Sequence, residues 1–382
     1  MRHNSLVAKA RGSTNPFRFG ALALDEAFTD RDEEIAELAA DMRNGQDVVV
    51  FAPRRYGKSS LVWRVAQQLV TRRVLVAQVD LMRAPTKDRL AEKLASAIHD
   101  ELATPLLRAK ERLRMFSELR VAPTVTVDPQ DGSLSFSFDT YAARQGIDAT
   151  LEELLALPGR LAAERKRRVV LVLDEFQEVM DIDPGLIKLM RSVFQEQGDV
   201  AHVYLGSKRH MIERIFNDAN EPFWRSAKQM ELGPIPPEPF EAFALERFAA
   251  TGRRLRPATA RAALDITGGH PYATQELLYF LWEEGTLERA LQAVLRSEHA
   301  HFSLLWERTS AAQRLVLEAL AAEQPGHPLS SDYQRRHGLP SIATVQTALR
   351  ALSREGVVER RGRGAYAIAE PFLDEWISLQ KS

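Results

Sequence analysis

A β-branched apolar run, Val48 to Phe51, passes through a short loop into the helically spaced stretch SSLVWRVAQQLV. The loop is Ala52-Pro53-Arg54-Arg55-Tyr56-Gly57-Lys58-Ser59-Ser60. A buried strand that hands the chain to a helix N-terminus through Gly-Lys-Ser constrains the fold strongly, because it converges backbone N–H groups on one point, as a bound phosphate requires. The pattern is G-x-x-x-x-G-K-[ST], with Ala52 in place of the first glycine. Gly57 allows close backbone approach, Lys58 is suited to β- and γ-phosphates, and the Ser59 hydroxyl to Mg²⁺. Pro53, Arg54, Arg55, Tyr56 and Ser60 complete the loop. Lys58 sits at a loop end with no apolar core to support, so its removal is expected to cost little folding energy. The competing reading is a tight turn carrying Gly-Lys-Ser by chance.

A second motif argues against chance. Val169 to Leu173 is a five-residue apolar run that ends in Asp174-Glu175. A carboxylate at the tip of a buried strand suits the Mg²⁺ shell of a P-loop enzyme, and a second one beside it can polarise an attacking water. Read alone, the pair would be an acidic strand end facing solvent.

Further strands are predicted over 73–81 and 201–207, with helices between them, which indicates an α/β layer with a mostly parallel sheet. Residues 31–44 read as a helix with Ile35, Leu38 and Met42 on one side and Gly45 as its stop. A charged helical stretch follows at 87–117, and another helix at 149–165. TVTVD and SLSFSF alternate with period two around PQDGS, a hairpin signature that marks an insertion at about 118–140. The predicted domains are a loose arm at 1–20, a core at 21–232, a helical lid at 233–300 after the Pro-rich joint GPIPPEPF, and a winged helix at 301–382.

The chain of 382 residues has no cysteine, which excludes disulfides, thiolate metal sites and cysteine nucleophiles. Its formal charge of −1 supplies no global field for nucleic acid, so any DNA contact must be local. No run of about 18 apolar residues occurs, and the first twenty residues lack the apolar core of a secretion signal, so the expectation is a cytoplasmic protein without membrane contact.

The string NPFRFG…FTDRDEE…FAPRRYGKSSL…VVLVLDEFQE…YLGSKRHMIERIF…PFWRSA…GGHPYATQELL resembles the archaeal-type ATPases, in the STAND branch of the AAA+-related P-loop NTPases, over about residues 15–378. The resemblance implies ATP/ADP with Mg²⁺, a five-stranded parallel core, a helical lid and a C-terminal winged helix. By position it implies nucleotide proximity for Arg31, a γ-phosphate sensor at Ser207, a lid motif at His270-Pro271 on the adenine side, and a phosphate-sensing arginine at Arg225. Asp30 departs from the glycine usual there, and Ala52 stands where little φ freedom is needed. Plainer readings stand beside these: Arg31 paired with acidic neighbours on its helix, Arg225 as a surface arginine, and His270 as a buried helix cap; Gln177 either orients water or merely ends the strand.

In the C-terminal part, Ser341 is a predicted N-cap for a helix offering Thr344, Gln346, Thr347, Arg350 and Arg354. The wing that follows carries Arg360, Arg361 and Arg363. These suit DNA, the helix in the major groove and the wing on phosphates. Glu355, Glu359 and Glu370 lie nearby, and the resemblance equally implies an intramolecular latch. Two function classes follow: an ATP-hydrolysing switch acting on DNA, a protein partner or its own assembly, and a nucleotide-stabilised DNA-binding regulator with negligible turnover. A metabolic kinase is disfavoured because no acceptor-substrate domain is evident.

Overall fold

The computed structural model describes residues 14–20, 28–70, 74–102, 116, 123–127, 134–137 and 140–380. They form two compact units. One comprises Arg31–Arg54 and Lys58–Gly233; the other comprises Pro234 onward with Arg55–Gly57 and the described residues before Arg31.

In the first unit the strands are β1 (Val48–Phe51), β2 (Leu75–Asp80), β3 (Thr124–Val127), β4 (Leu134–Ser137), β5 (Val169–Asp174), β6 (Val200–Gly206) and β7 (Lys228–Glu231). Five of them make a parallel sheet in the order β2-β5-β6-β1-β7. Every residue of β1 and β6 is buried, as are Val169 to Leu173 of β5, so these strands appear in the sequence as continuous apolar runs. β7 escaped the sequence reading because only Met230 of its four residues is buried. It is a polar edge strand, and Lys228 is tied to Asp41 and Glu37 at 2.8 and 2.9 Å. Asp47 pins β1 to β6, its Oδ1 accepting from the His202 backbone N at 2.9 Å.

The hairpin β3–β4 is antiparallel and separate from this sheet, as its alternation predicted. The helix Asp32–Asn44 buries Ile35, Leu38, Ala39 and Met42 and stops at Gly45 in the left-handed region, as expected. The helix at 149–165 starts earlier, at Thr140, where TYAARQG gave no apolar period. The stretch from 87 is regular only over Lys87–Ala97 and then widens at Ile98–Leu102. Of its expected continuation to 117, only Phe116 falls within the described residues.

The second unit carries the helices Pro237–Ala250, Pro257–Thr267, Pro271–Glu284 and Leu287–Arg308, the all-helical segment the sequence indicated. Residues 14–20 are not a loose arm. Phe17 is buried against Phe248 and Phe243, with ring centroids 5.4 and 6.2 Å away, and the Asn15 amide donates to the Tyr279 carbonyl at 3.0 Å. Residues 1–13 lie outside the described residues. After Leu287–Arg308 come Ala311–Ala322, Ser331–His337 and Ile342–Glu355, then the antiparallel pair β8 (Val358–Arg360) and β9 (Tyr366–Ile368). This is a winged helix. Ser341 caps its third helix by accepting from the Thr344 N–H. A closing helix, Leu373–Gln380, was not foreseen; it buries Leu373, Trp376 and Ile377, and Trp376 donates to His299 at 3.1 Å.

Glu276 is a carboxyl of this unit that is almost fully buried beside Glu298. Burial, then the charge of Glu298, push its carboxyl up to about 8. The folded state therefore holds a proton that the unfolded chain releases near pH 4.5. The corresponding stability is complete below about pH 4.5 and is lost as pH rises to about 8. Glu276→Gln, a permanent mimic of the protonated form, should raise the melting temperature at pH 8 and leave it nearly unchanged at pH 4.5. At roughly 2–4 °C per kcal/mol, thermal scans at the two pH values resolve the difference.

Candidate nucleotide-binding site

The loop after β1 turns at Arg55 and Gly57, with φ of 65° and 86°. Ala52 is not among the left-handed residues, so the missing first glycine costs no backbone strain, as the sequence reading held. The helix Lys58–Val70 begins directly at Lys58. Contrary to the expectation for a loop end, Lys58 is buried, and its ammonium donates to the carbonyls of Ala52 and Pro53 at 2.9 and 3.0 Å. Burial lowers its pKa, while the nearby Glu175 and Asp174 act against that shift. Lys58 therefore braces the loop as well as offering a cation to an incoming phosphate.

β5 lies one strand away from β1, across β6, and ends on the same side of the sheet, where open α/β sheets bind ligands. Its last residue, Asp174, accepts from Ser59 Oγ at 3.0 Å and from the Gln78 amide at 3.4 Å. Burial raises the Asp174 pKa, and the hydrogen bond from Ser59 opposes this. A hydroxyl and a carboxylate already facing each other are hard oxygen donors suited to Mg²⁺, which usually takes one or two protein ligands plus substrate phosphates. Among the described residues no cluster of three or more His, Cys, Asp or Glu side chains could hold a metal on its own. The donor set therefore fits a cation that arrives with a nucleotide.

Glu175 sits in the left-handed region at φ 51°, uncommon for a residue with a side chain and frequent at functional sites. The turn it opens is anchored by Phe176, fully buried against Tyr204, Phe223 and Phe216 with centroids 4.6–5.8 Å away. Glu175 Oε2 accepts from Ser207 Oγ at 2.6 Å and from Gln177 Nε2 at 2.5 Å. Within this unit the structure thus brings together Ser59 with Asp174, and Ser207 with Glu175. Gln177, for which the sequence offered a water-orienting role or a plain strand end, is fully buried and bonded to Glu175. A glutamine four residues past the last apolar residue of a strand carries no periodicity signal, so its burial shows only in the fold.

Arg31 follows its plainer reading. It bonds Glu34 at 2.8 Å and the Gly233 carbonyl at 2.5 Å, holding the chain after β7. Both Asp30 and Arg31 have positive φ, 58° and 75°, a conformation that glycine adopts more readily. Arg225 lies at the other end of the sheet from Lys58. It precedes β7, whose first residue pairs with the first residue of β1, and it lines a depression with Asp41, Asn44 and Gln46. The structure does not bring it to the phosphate loop of its own chain.

In the second unit, His270 caps the helix Pro271–Glu284, its Nδ1 accepting from the Ala273 N–H at 3.3 Å. Burial holds its pKa down at about 4, so it is a neutral acceptor at pH 7. Its ring meets Tyr56 edge-on at 4.5 Å, and Arg55 lies over Tyr272 at 4.3 Å. The lid motif and these two loop residues therefore touch. Gly269, at φ 71°, allows this path, since a methyl there would fall 2.3 Å from the Ile235 carbonyl oxygen.

Residues 28–277 match the family described as an ATPase domain predominantly from Archaea. The chain belongs to that family. Residues 300–379 match a probable winged helix domain. No curated protein matches the chain. Among solved structures, this archaeal-type ATPase is similar to the Walker-type ATPase PABY2304 of Pyrococcus abyssi, at 17% identity and TM-score 0.65, covering 93% of this chain and 97% of that one. It is also similar to the ADP form of the Aeropyrum pernix ORC2 protein, at 14% identity and TM-score 0.51, over 94% and 97%. At such identities the likeness is one of fold. Among the described residues, no helix of this archaeal-type ATPase is long and apolar enough to cross a membrane.

Proposed function

We propose that the protein is a Mg²⁺-dependent ATPase that works as a switch, using the cycle of ATP and ADP to reset its lid and winged helix. The observation that carries this reading is the juxtaposition of Ser59 Oγ and Asp174 Oδ2 at 3.0 Å, with Glu175 next in sequence and held by Ser207. Pro53, Arg54, Arg55, Tyr56, Gly57 and Ser60 shape the loop around the phosphates, and Lys58 turns from the loop carbonyls to them. Ser59 and Asp174 would hold Mg²⁺, which would neutralise the charge that develops on the phosphates. Glu175 accepts the proton of the attacking water, and Ser207 holds that carboxylate in place. A bare binding module has no use for the second carboxylate, which favours turnover over the regulator reading.

The proposed partner of the winged helix is duplex DNA. Thr344, Gln346, Thr347, Arg350 and Arg354 are all exposed on the third helix, and Arg360, Arg361 and Arg363 are exposed around Gly362 and Gly364. Arg361 pairs with Glu359, so part of this charge is already engaged. ATP turnover with and without duplex DNA tests the coupling; on this reading DNA changes the rate. Replacing the three wing arginines by alanine should weaken DNA binding at every sequence and flatten the slope of log K against log salt by roughly 2–3, at about 0.9 per phosphate contact. If the parent protein shows no salt-dependent DNA binding with either ATP or ADP, a protein latch replaces DNA as the partner. The triple variant should then raise basal turnover.

A further inference from the structure

The turn after β5 and the end of β6 close a chain of four polar contacts. Ser207 Oγ donates to Glu175 Oε2 at 2.6 Å, and Gln177 Nε2 donates to the same oxygen at 2.5 Å. The same Gln177 nitrogen reaches Glu178 Oε1 at 3.3 Å, and Lys208 Nζ donates to that oxygen at 2.8 Å. The two residues that follow β6, Ser207 and Lys208, thus face two carboxylates on the turn, with the Gln177 amide between them.

Gln177 is fully buried, and its Oε1 has no hydrogen-bond partner among the described residues. A buried acceptor left unmatched costs about 1–3 kcal/mol. Flipping the amide would set its oxygen against two carboxylates, which is worse. The side chain therefore points its donor side at Glu175 and Glu178 and leaves its carbonyl unserved. The strand opposite makes room for this: Gly206 ends β6, and a methyl there would lie 3.1 Å from Gln177 Oε1 and 2.3 Å from Ile212. A core position chosen for stability alone would carry an apolar side chain of the same volume.

The geometry points to Gln177 as a positioning residue for ATP hydrolysis: with Ser207 it grips one oxygen of Glu175 and fixes the other to receive the proton of the attacking water. The inference rests on the reading of Glu175 as the general base. Gln177 touches neither nucleotide nor metal in this assignment; it acts only through Glu175. The second contact, to the Lys208–Glu178 pair, fixes the amide itself.

Gln177→Met in the full chain tests this, because it keeps the volume and removes both the donor and the unserved carbonyl. Misplacing a reacting group by about 1 Å costs on the order of 10²-fold, so kcat should fall roughly 10–10²-fold. KM for ATP and nucleotide affinity should stay within about threefold, because the grip does not contact substrate. The melting temperature should hold or rise. Gln177→Asn, with the amide one carbon too short, should show the same kcat loss, which covers the case of a poorly folding Met variant. In a Glu175→Gln background, Gln177→Met should cost nothing more, since there is no base left to position. The proposal is overturned by parental or faster turnover in the Gln177 variants, or by an equal further loss in the Glu175→Gln background. Parental turnover in Glu175→Gln alone brings down both readings. A slow Glu175→Gln with a fast Gln177→Met brings down only this one.

Discussion

Glu175→Gln should bind ATP at close to parental affinity and hydrolyse it roughly 10²–10⁴-fold more slowly, the range a positioned general base supplies. The glutamine amide oxygen can still accept from Ser207 and Gln177, which now hold the Glu175 carboxylate at 2.6 and 2.5 Å, so the left-handed turn at φ 51° has no reason to move. Only the ability to take a proton is lost. Phosphate release at saturating Mg²⁺-ATP measures the rate, and a parallel binding titration shows that the site is intact. A parental rate would mean that Glu175 only frames the site and that the water is polarised elsewhere. Because the slow variant should retain ATP, it is also the form in which to recover a partner from the native cell.

Lys58→Ala carries the second large effect. Its ammonium makes two hydrogen bonds to loop carbonyls, and on the proposed reading a nucleotide phosphate replaces them. Hydrogen bonds to charged groups contribute about 1.5–3 kcal/mol each, so losing two to phosphate should weaken ATP binding by at least about 10²-fold. The folding effect is a balance. The variant loses the brace across Ala52 and Pro53 but no longer buries a charge whose pKa burial already depresses. The net change should be within about 2 kcal/mol, so the variant should remain folded by circular dichroism.

The sequence was most legible where local chemistry and burial coincide. Val48 to Phe51 and Val169 to Leu173 are buried throughout and read directly as inner strands. Gly57-Lys58-Ser59 and Asp174-Glu175 declared themselves because their residue types have few other uses at strand ends. The hairpin and the Ser341 cap were visible for the same local reasons. The misses depend on tertiary context. β7 is a polar edge strand with one buried residue, and the closing helix Leu373–Gln380 is too short for periodicity to stand out. The docking of Phe17 rests on helices more than two hundred residues away in sequence. Arg225 sits at the far end of the sheet because of strand register, which no local pattern encodes. The burial of Gln177 and of Lys58 required the fold to be seen.

The central claim is that the loop from Ala52 to Ser60 and Asp174 form one Mg²⁺-ATP site. Calorimetric titration of ATP into the parent protein and into folded Lys58→Ala, each with and without Mg²⁺, tests it most directly. The account predicts saturable binding to the parent that Mg²⁺ strengthens, and a loss of at least about 10²-fold in the variant. Near-parental affinity in Lys58→Ala would contradict it.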